Sequence, residues 1–361
     1  MAASQPLAAF FRLNFAYSRN RMGLLDQLRQ DRVAAPIPEV TNSESVPHFH
    51  AADSLSELKF SDLIIGPREL PNSSYIKGLE GGPKLVVIPD KFAGDLEYIR
   101  AKAESTKLQD FSMLVDTVHY RVSRMDTISG VYFTLRRGIS KVPSLSELGF
   151  AEVVSTKLLE TRRRGLLLFC GPMGSGKTTS ASSFVISWLQ KFGGHCVTIE
   201  DPPELPMQGP HGAGVCFQTS IESSSFAREM IKVLRFAAPE VIFLSELRDS
   251  ATVAQALRAA VNGHLIVATV HGSGIEETLN RILVLGKEND GEAARDLLAA
   301  GLFGLIFQEL EGSTKKLKVR VLFTEDDIAD PVRSLIRDDK LMQLGTEVKK
   351  QQTQLLLRRS I

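Results

Sequence analysis

The pattern of hydrophobic and polar positions changes twice along the chain. Up to about residue 55, short apolar pieces alternate with arginines and with Pro/Ser-rich stretches such as Ala34–Glu39, and no period is sustained. From Leu58, short alternating segments predict a small α+β unit. From Phe150 onward, strand-length apolar runs alternate with helical spacing, which is typical of a mostly parallel sheet with helices on both faces. We therefore predict an arm over residues 1–55, an N-terminal domain over 56–137, a hinge or linker over 138–149 and an α/β domain over 150–361.

The N-terminal unit carries several element signals. Leu85–Ile88 predicts a strand, Asp95–Thr106 a helix, and Tyr120–Arg124 with Val131–Leu135 a pair of strands. Arginines recur on this strand pair, and the commoner interpretation of such residues is a solvated face of an antiparallel sheet. They are Arg121, Arg124, Arg136 and Arg137.

The C-terminal unit shows a longer alternation of the two element types. Apolar runs predict strands at Leu166–Cys170, Cys196–Ile199, Gly214–Gln218, Val241–Leu244, His264–His271 and Lys318–Phe323. Helical spacing predicts helices after Thr179 and at Ser224–Phe236, Ser250–Asn262, Glu276–Leu285, Glu292–Phe307 and from Pro331.

Charge and hydropathy narrow the classes of function. With 43 basic and 42 acidic residues among 361, the net charge of +1 gives no reason to expect nucleic acid as a partner. The apolar run Leu297–Phe307 is too short to cross about 30 Å of hydrocarbon. Met1–Tyr17 lacks a basic segment and an evident cleavage site, so a secretory signal is not expected. We expect a cytoplasmic protein.

The three cysteines have no metal-binding spacing. Cys170, Cys196 and Cys216 sit in separate apolar runs, which argues against a zinc site and against a disulfide framework. We expect core thiols.

The strongest chemical signal is the stretch that follows the Leu166–Cys170 run. Gly171–Thr178 fits G-x-x-x-x-G-K-[ST] between a strand and a helix, which is the P-loop. Glycines let backbone N–H groups turn towards a phosphate, Lys177 suits the β- and γ-phosphates, and the Thr178 hydroxyl suits Mg²⁺. The alternative is a glycine-rich turn without a ligand. The predicted ATP-binding residues are Gly171, Pro172, Met173, Gly174, Ser175, Gly176, Lys177, Thr178 and Thr179.

Further polar residues follow the predicted strands. In open α/β sheets, ligands bind beyond the carboxyl ends of the parallel strands, so residues placed there can converge on the phosphates. His264 begins its strand and belongs to the opposite edge, which favours a hydrogen-bonded structural role. The residues at the carboxyl ends are Glu200, Asp201, Glu204, Glu246, Asp249 and His271.

Glu246 is the best placed of these to orient a water molecule. It comes directly after Ser245, which follows the apolar strand Val241–Leu244, where a Walker B carboxylate could act directly or through the magnesium shell. The alternative is a surface ion pair with Arg248 or Arg258.

Four motifs together resemble those of the secretion ATPase superfamily, which includes type II and type IV secretion ATPases and type IV pilus motors. In that family they are called Walker A, Asp box, Walker B and His box. Here they are Gly171–Thr178, Thr198–Glu204, Val241–Asp249 and Gly263–His271. The segment Pro331–Asp338 is similar to the C-terminal signature of pilus retraction motors, and the resemblance covers about residues 110–345.

The resemblance implies a RecA-like P-loop NTPase domain with a smaller PAS-like α+β domain. It also implies a homohexameric ATPase that needs ATP and Mg²⁺ and sits peripherally at the bacterial inner membrane, against secretion or pilus platform proteins. Thr178 and, through water, Glu246 would hold the metal. The resemblance assigns catalytic roles to Glu246, Glu200, Glu204, His271, His264, Arg121 and Arg136.

Three positions depart from the family pattern. Ser245 stands where glycine is usual, Pro203 where an aliphatic residue is usual, and Glu240 where aspartate is usual. The lack of a four-cysteine zinc module argues against the type II secretion and pilus extension branches.

These observations favour a motor ATPase of a type IV secretion or conjugation system. The alternatives are a pilus retraction motor, a nucleotide-gated scaffold with little hydrolysis, and a RecA-like DNA motor, which the charge balance argues against.

Overall fold

The computed structural model describes residues 47–116, 118–221, 226–312, 315–324 and 330–358. The arm predicted over residues 1–55 lies mostly outside this part of the chain. In its described end, Phe49, Ala52 and Leu55 are buried in the N-terminal core. Packing therefore begins before the predicted boundary at residue 56.

The N-terminal unit is built on a six-stranded antiparallel sheet. Its strand order is β3-β2-β1-β6-β5-β4. The strands are β1 Asp62–Ile65, β2 Tyr75–Lys77, β3 Leu85–Val87, β4 Asp110–Val115, β5 Val118–Thr127 and β6 Gly130–Arg137, accompanied by helices α1 Pro47–Ala51 and α2 Ala93–Glu104. The predicted α+β character is confirmed, whereas the PAS-like assignment stays a prediction.

The C-terminal unit has an eight-stranded sheet whose six inner strands are parallel. The order is β14-β13-β7-β12-β11-β8-β10-β9, and the two edge strands run antiparallel to their neighbours. The strands are β7 Gly165–Gly171, β8 Gly194–Glu200, β9 Gly209–His211, β10 Gly214–Ser220, β11 Val241–Leu244, β12 Leu265–His271, β13 Leu302–Glu311 and β14 Lys316–Phe323.

Helices cover both faces of this sheet. They are α3 Glu152–Leu158, α4 Lys177–Phe192, α5 Phe226–Lys232, α6 Ser250–Val261, α7 Ile275–Asp290, α8 Ala293–Gly301, α9 Pro331–Arg337 and α10 Leu344–Arg358. Two apolar cores result, one on each face, and alternate residues of the central strands point into each of them. Within the described residues, no helix is long and apolar enough to cross a membrane.

Two predicted helices end or change character earlier than expected. The segment predicted from Ser224 begins, in the described residues, at Phe226 and passes into a π-helical turn at Val233–Ala237. The final helix from Pro331 stops at Arg337, and a separate helix begins at Leu344.

The prediction of one helix over Glu292–Phe307 is wrong beyond Gly301. Residues 302–307 form the first half of β13 instead, between β7 and β14. All six are buried, since both sheet faces are covered, so the run lacks the polar positions that distinguish a helical from a strand period.

The C-terminal helix contacts the end of the edge strand β14 through a side-chain amide. Gln351 accepts from the Phe323 N–H at 2.8 Å and donates to the Phe323 carbonyl at 2.9 Å. These are the two bonds that a neighbouring strand would make with that residue.

Because both faces of β13 are packed, we predict that Leu305→Ala and Ile306→Ala each lower the free energy of unfolding by about 2–5 kcal/mol. Leu305 belongs to one core and Ile306 to the other. Leu310, 38% exposed on the same strand, is the control and should cost under about 1 kcal/mol as Leu310→Ala. Urea unfolding of the full chain measures all three, and a large loss for only one of the two buried positions would contradict two-sided packing.

Candidate active site

The phosphate loop joins β7 to α4 and depends on glycine at three positions. Gly171, Gly174 and Gly176 have φ angles of 151°, 74° and 81°, which L side chains rarely adopt. A Cβ atom on Gly171 would also lie 2.1 Å from the Gln308 carbonyl oxygen. Pro172, Met173 and Gly174 are exposed, while Ser175 is buried and Thr178 and Thr179 are half-buried at the start of α4.

Lys177 is buried inside this loop. It is 7% exposed, and its Nζ donates to the Pro172 carbonyl at 2.8 Å. Burial lowers the pKa of the ammonium, and the Glu246 carboxylate opposes that shift. The loop thus holds a positive charge that is mostly out of contact with water, next to the exposed residues Pro172, Met173 and Gly174.

His271 stands between Lys177 and Glu246. In the parallel pairing of β12 with β7, His271 lies opposite Gly171. Its Nδ1 is 3.3 Å from Lys177 Nζ, and its Nε2 is 3.7 Å from Glu246 Oε1. An ammonium can only donate, so Nδ1 accepts this hydrogen bond, and the Nε2 side of the ring faces Glu246.

The backbone on either side of Glu246 is fixed by hydrogen bonds. The Ser245 N–H donates to the Ile199 carbonyl at 3.2 Å, and the Ser245 carbonyl accepts from the Thr269 hydroxyl. The Leu247 N–H donates to the Thr269 carbonyl at 2.9 Å. Both neighbours of Glu246 are therefore held by adjacent strands, which presents the partly exposed carboxylate in a set direction.

Glu200 occupies a different environment at the end of β8. It is fully buried, its Oε1 accepts from Gln218 Nε2 at 2.8 Å, and its Oε2 has no hydrogen-bond partner within the described residues. Burial raises its pKa to about 7. The structure therefore places Glu200 behind the exposed edge rather than beside Glu246.

Glu204 and Arg121 link the two sheets. Arg121 Nη1 lies 3.0 Å from Glu204 Oε1, and the Ser112 hydroxyl donates to the Pro203 carbonyl close by. An arginine of the N-terminal unit is thereby brought to the loop that follows β8.

Arg136 is held on its own sheet. It lies opposite Arg121 in the pairing of β5 with β6, but its Nε contacts Asp62 Oδ1 at 3.1 Å. The structure therefore does not bring Arg136 onto the phosphate loop.

His264 lies far from the phosphate loop. It precedes β12, and its Nδ1 is 2.8 Å from the Pro239 carbonyl oxygen at the amino-terminal edge of the sheet. Asp249 also has a structural contact, because it caps α6 by accepting from the Thr252 N–H and hydroxyl. Its carboxylate is therefore engaged in the helix cap.

Sequence reasoning missed two glutamines. Gln218 holds the Glu200 carboxylate, and Gln308 donates to the Ser175 carbonyl beneath the phosphate loop at 2.6 Å. Each is a polar residue within an apolar strand, which is the signal that could have identified it.

The residues present fit ATP and Mg²⁺. The glycine positions leave the loop backbone free of side chains, and a buried cation lies within it. Oxygen donors suited to Mg²⁺ come from the Thr178 hydroxyl and the Glu246 carboxylate. Among the described residues, no cluster of three or more His, Cys, Asp or Glu side chains could hold a metal ion. Cys170, Cys196 and Cys216 are buried free thiols, as predicted.

Comparison with known proteins identifies related chains. A family model described as type II/IV secretion system protein matches residues 106–339. A twitching motility protein of Neisseria gonorrhoeae is 34% identical over 66% of this chain, a match that spans only 63% of that relative. The type IV pilus retraction ATPase PilT of Pseudomonas aeruginosa is 32% identical over 66% of this chain and 69% of its own. A crystal structure of the pilus retraction motor PilT with bound ADP superposes with a TM-score of 0.63 at 30% identity, covering 82% of this chain and 87% of that one.

The raised pKa of Glu200 predicts a pH dependence of stability. The unfolded chain releases this proton near the ordinary value of 4.5 and the folded chain near about 7, so the folded state loses stability as the pH rises between them. Glu200→Gln removes that loss. The free energy of unfolding of the variant, relative to that of wild type, should therefore rise by up to about 3 kcal/mol as the pH increases through this range. Above the range, that difference should stay constant. Urea unfolding across this range tests the prediction, and a constant difference between the two proteins would contradict it.

Proposed function

Because this chain belongs to the type II/IV secretion system protein family, we propose that it is an ATP-hydrolysing motor that drives a type IV pilus or related secretion machinery. The observation that carries the proposal is the grouping of Lys177, His271 and Glu246 around a phosphate loop that only glycine can form. A nucleotide-gated scaffold needs the loop but has no use for a carboxylate held in place beside it.

The loop residues bind and orient the triphosphate. The backbone N–H groups at the start of α4 and the Lys177 ammonium attract the phosphate oxygens. Because Lys177 is mostly out of water, its attraction for an anion is stronger than that of a surface lysine. The Thr178 hydroxyl would hold Mg²⁺, which would supply positive charge to the transferred phosphoryl group.

Glu246 is the residue that orients the attacking water. Its backbone is fixed at both neighbours, and its carboxylate is partly exposed at the edge where the phosphates bind. His271 lies between Glu246 and the lysine, and its ring nitrogens contact both side chains. Hydrolysis needs a positioned nucleophile and charge stabilisation more than covalent chemistry, and these groups supply both.

The machinery served by this ATPase is the finer part of the proposal. Relatives named for twitching motility and pilus retraction favour a pilus-type motor. The expected type IV secretion or conjugation role stays a prediction, as do the hexameric ring, the inner-membrane platform partners and the cytoplasmic location.

Two substitutions test hydrolysis. Lys177→Ala should weaken ATP binding at least about tenfold, because it removes the buried cation. Glu246→Gln should bind ATP normally and lose about a hundredfold or more in turnover, because the amide cannot polarise water. Calorimetry measures binding, and phosphate release with and without DNA measures turnover.

Glu80→Gln, which neutralises an exposed carboxylate in the N-terminal unit, serves as the matched control and should change neither quantity. If Glu246→Gln hydrolyses ATP within about twofold of wild type, the assignment of Glu246 is wrong. Stimulation by DNA would instead favour a DNA motor.

The contact between the two sheets predicts a role for Arg121 in turnover. An arginine carried on another unit can stabilise the charge of transferring phosphate only when that unit approaches the nucleotide. Arg121→Ala should therefore lower turnover about tenfold or more while changing ATP affinity less than about threefold. Arg136→Ala should lower turnover less than Arg121→Ala, because Arg136 is held by Asp62 on its own sheet, and both are compared by steady-state ATPase assay.

Arg124→Ala is the matched control, because Arg124 pairs with Asp126 on its own strand. The mass measured by sedimentation on the same samples distinguishes loss of the arginine's charge from loss of the assembled ring. Equal turnover for Arg121→Ala and Arg124→Ala would contradict a role for the N-terminal arginines.

A further inference from the structure

Gln308 lies beneath the phosphate loop on the neighbouring strand. In the parallel pairing of β13 with β7, Phe307 is opposite Cys170, which puts Gln308 level with Gly171. Gln308 is fully buried, the single fully buried glutamine among the described residues. Burying an amide is unfavourable unless it is hydrogen-bonded, so its contacts need an explanation.

Those contacts reach both ends of the loop. Gln308 Nε2 donates to the Ser175 carbonyl at 2.6 Å, and a Cβ on Gly176 would lie 3.5 Å from the same nitrogen. At the other end, the Gln308 carbonyl oxygen occupies the space that a Cβ on Gly171 would need. A single residue of β13 therefore supports the loop where it leaves β7 and where it enters α4.

The hydrogen bond to Ser175 also fixes the direction of a donor. In a planar trans peptide unit, the carbonyl of one residue and the N–H of the next point in opposite directions. Holding the Ser175 carbonyl towards the buried Gln308 turns the Gly176 N–H away from the interior, towards the concave side of the loop. That N–H is one of the donors a phosphate would use.

We propose that Gln308 is a positioning residue for ATP phosphates, acting through the N–H that it donates to Ser175. The inference rests on the proposed function of the loop and adds a residue to it. Gln308 does not touch the nucleotide. It sets the peptide orientation that lets the backbone bind phosphate, so its loss should appear in nucleotide affinity before it appears in the chemistry.

The Oε1 atom of Gln308 shows which half of the amide makes the contact. Gln308 Oε1 is buried and accepts no hydrogen bond from the described residues, so the N–H carries the contact. A side chain of similar size that has no hydrogen-bond donor should then lower ATP affinity, whereas one that has a donor should restore it. Gln308→Met removes the donor, and Gln308→Glu can donate only when its carboxyl group is protonated.

The experiment is calorimetric titration of the full-length protein with MgATP from about pH 6 to about pH 9. The ATP affinity of each variant is divided by that of wild type at the same pH. Gln308→Met should bind at least about tenfold more weakly throughout. Gln308→Glu should stay within about threefold of wild type at low pH, where a buried carboxyl is protonated, and fall at least about tenfold at high pH.

Gln351→Met is the matched control, because it removes a glutamine that also bonds backbone, at Phe323, away from the loop. It should lower stability and leave ATP affinity within about twofold of wild type. Thermal melting of each variant confirms folding.

Wild-type affinity in Gln308→Met would overturn the inference, and so would a Gln308→Glu affinity that does not vary with pH relative to wild type. Failure of the wild-type protein to bind MgATP would overturn the proposed function instead, so the two failures are distinguishable.

Discussion

A lysine ammonium withdrawn from water is the constraint around which the catalytic edge is arranged. Among the described residues, Lys177 has only a neutral carbonyl and an imidazole nitrogen within hydrogen-bond distance, and the Glu246 carboxylate acts on it electrostatically. An incompletely neutralised buried cation is costly to the folded state. That cost makes the site receptive to an anion, since binding a phosphate restores the missing partner. The parallel strands deliver the remaining polar groups to the same edge, because their carboxyl ends meet there.

Much of this arrangement could be predicted from the sequence, because its signals are local. The phosphate loop has a fixed spacing, and Val241–Leu244 is an apolar strand followed at once by Ser245 and Glu246. What could not be predicted depends on packing. The first half of β13 is buried on both faces, so its sequence carries no period, and the helix prediction failed there. Glu200 and Glu246 both lie at the carboxyl ends of strands, yet only the fold shows that one carboxyl is buried against Gln218 and the other is partly exposed.

A buried histidine lies at the junction between the two sheets. His119 is buried beneath Gly138, whose N–H donates to the His119 carbonyl at 2.8 Å, and a Cβ on Gly138 would lie 3.1 Å from His119 Nδ1. Burial and the neighbouring Arg121 lower the pKa of that imidazole. The charged contact between Arg121 and Glu204 lies at the same junction, where both side chains are exposed. Surface ion pairs contribute little to stability, so this contact can break without unfolding either unit.

The amide of Gln351 has a consequence for the behaviour of the protein in a crowded cell. β14 is an edge strand, and an unpaired edge is a template on which a strand from another molecule can grow. By occupying both backbone groups of Phe323, the C-terminal helix stands in for that missing strand, and Gln352 adds a longer contact to the Val319 carbonyl at 3.4 Å. The C-terminal helix thus covers the end of this edge strand, and without it the backbone groups of Phe323 would be open to pairing with a strand of another molecule.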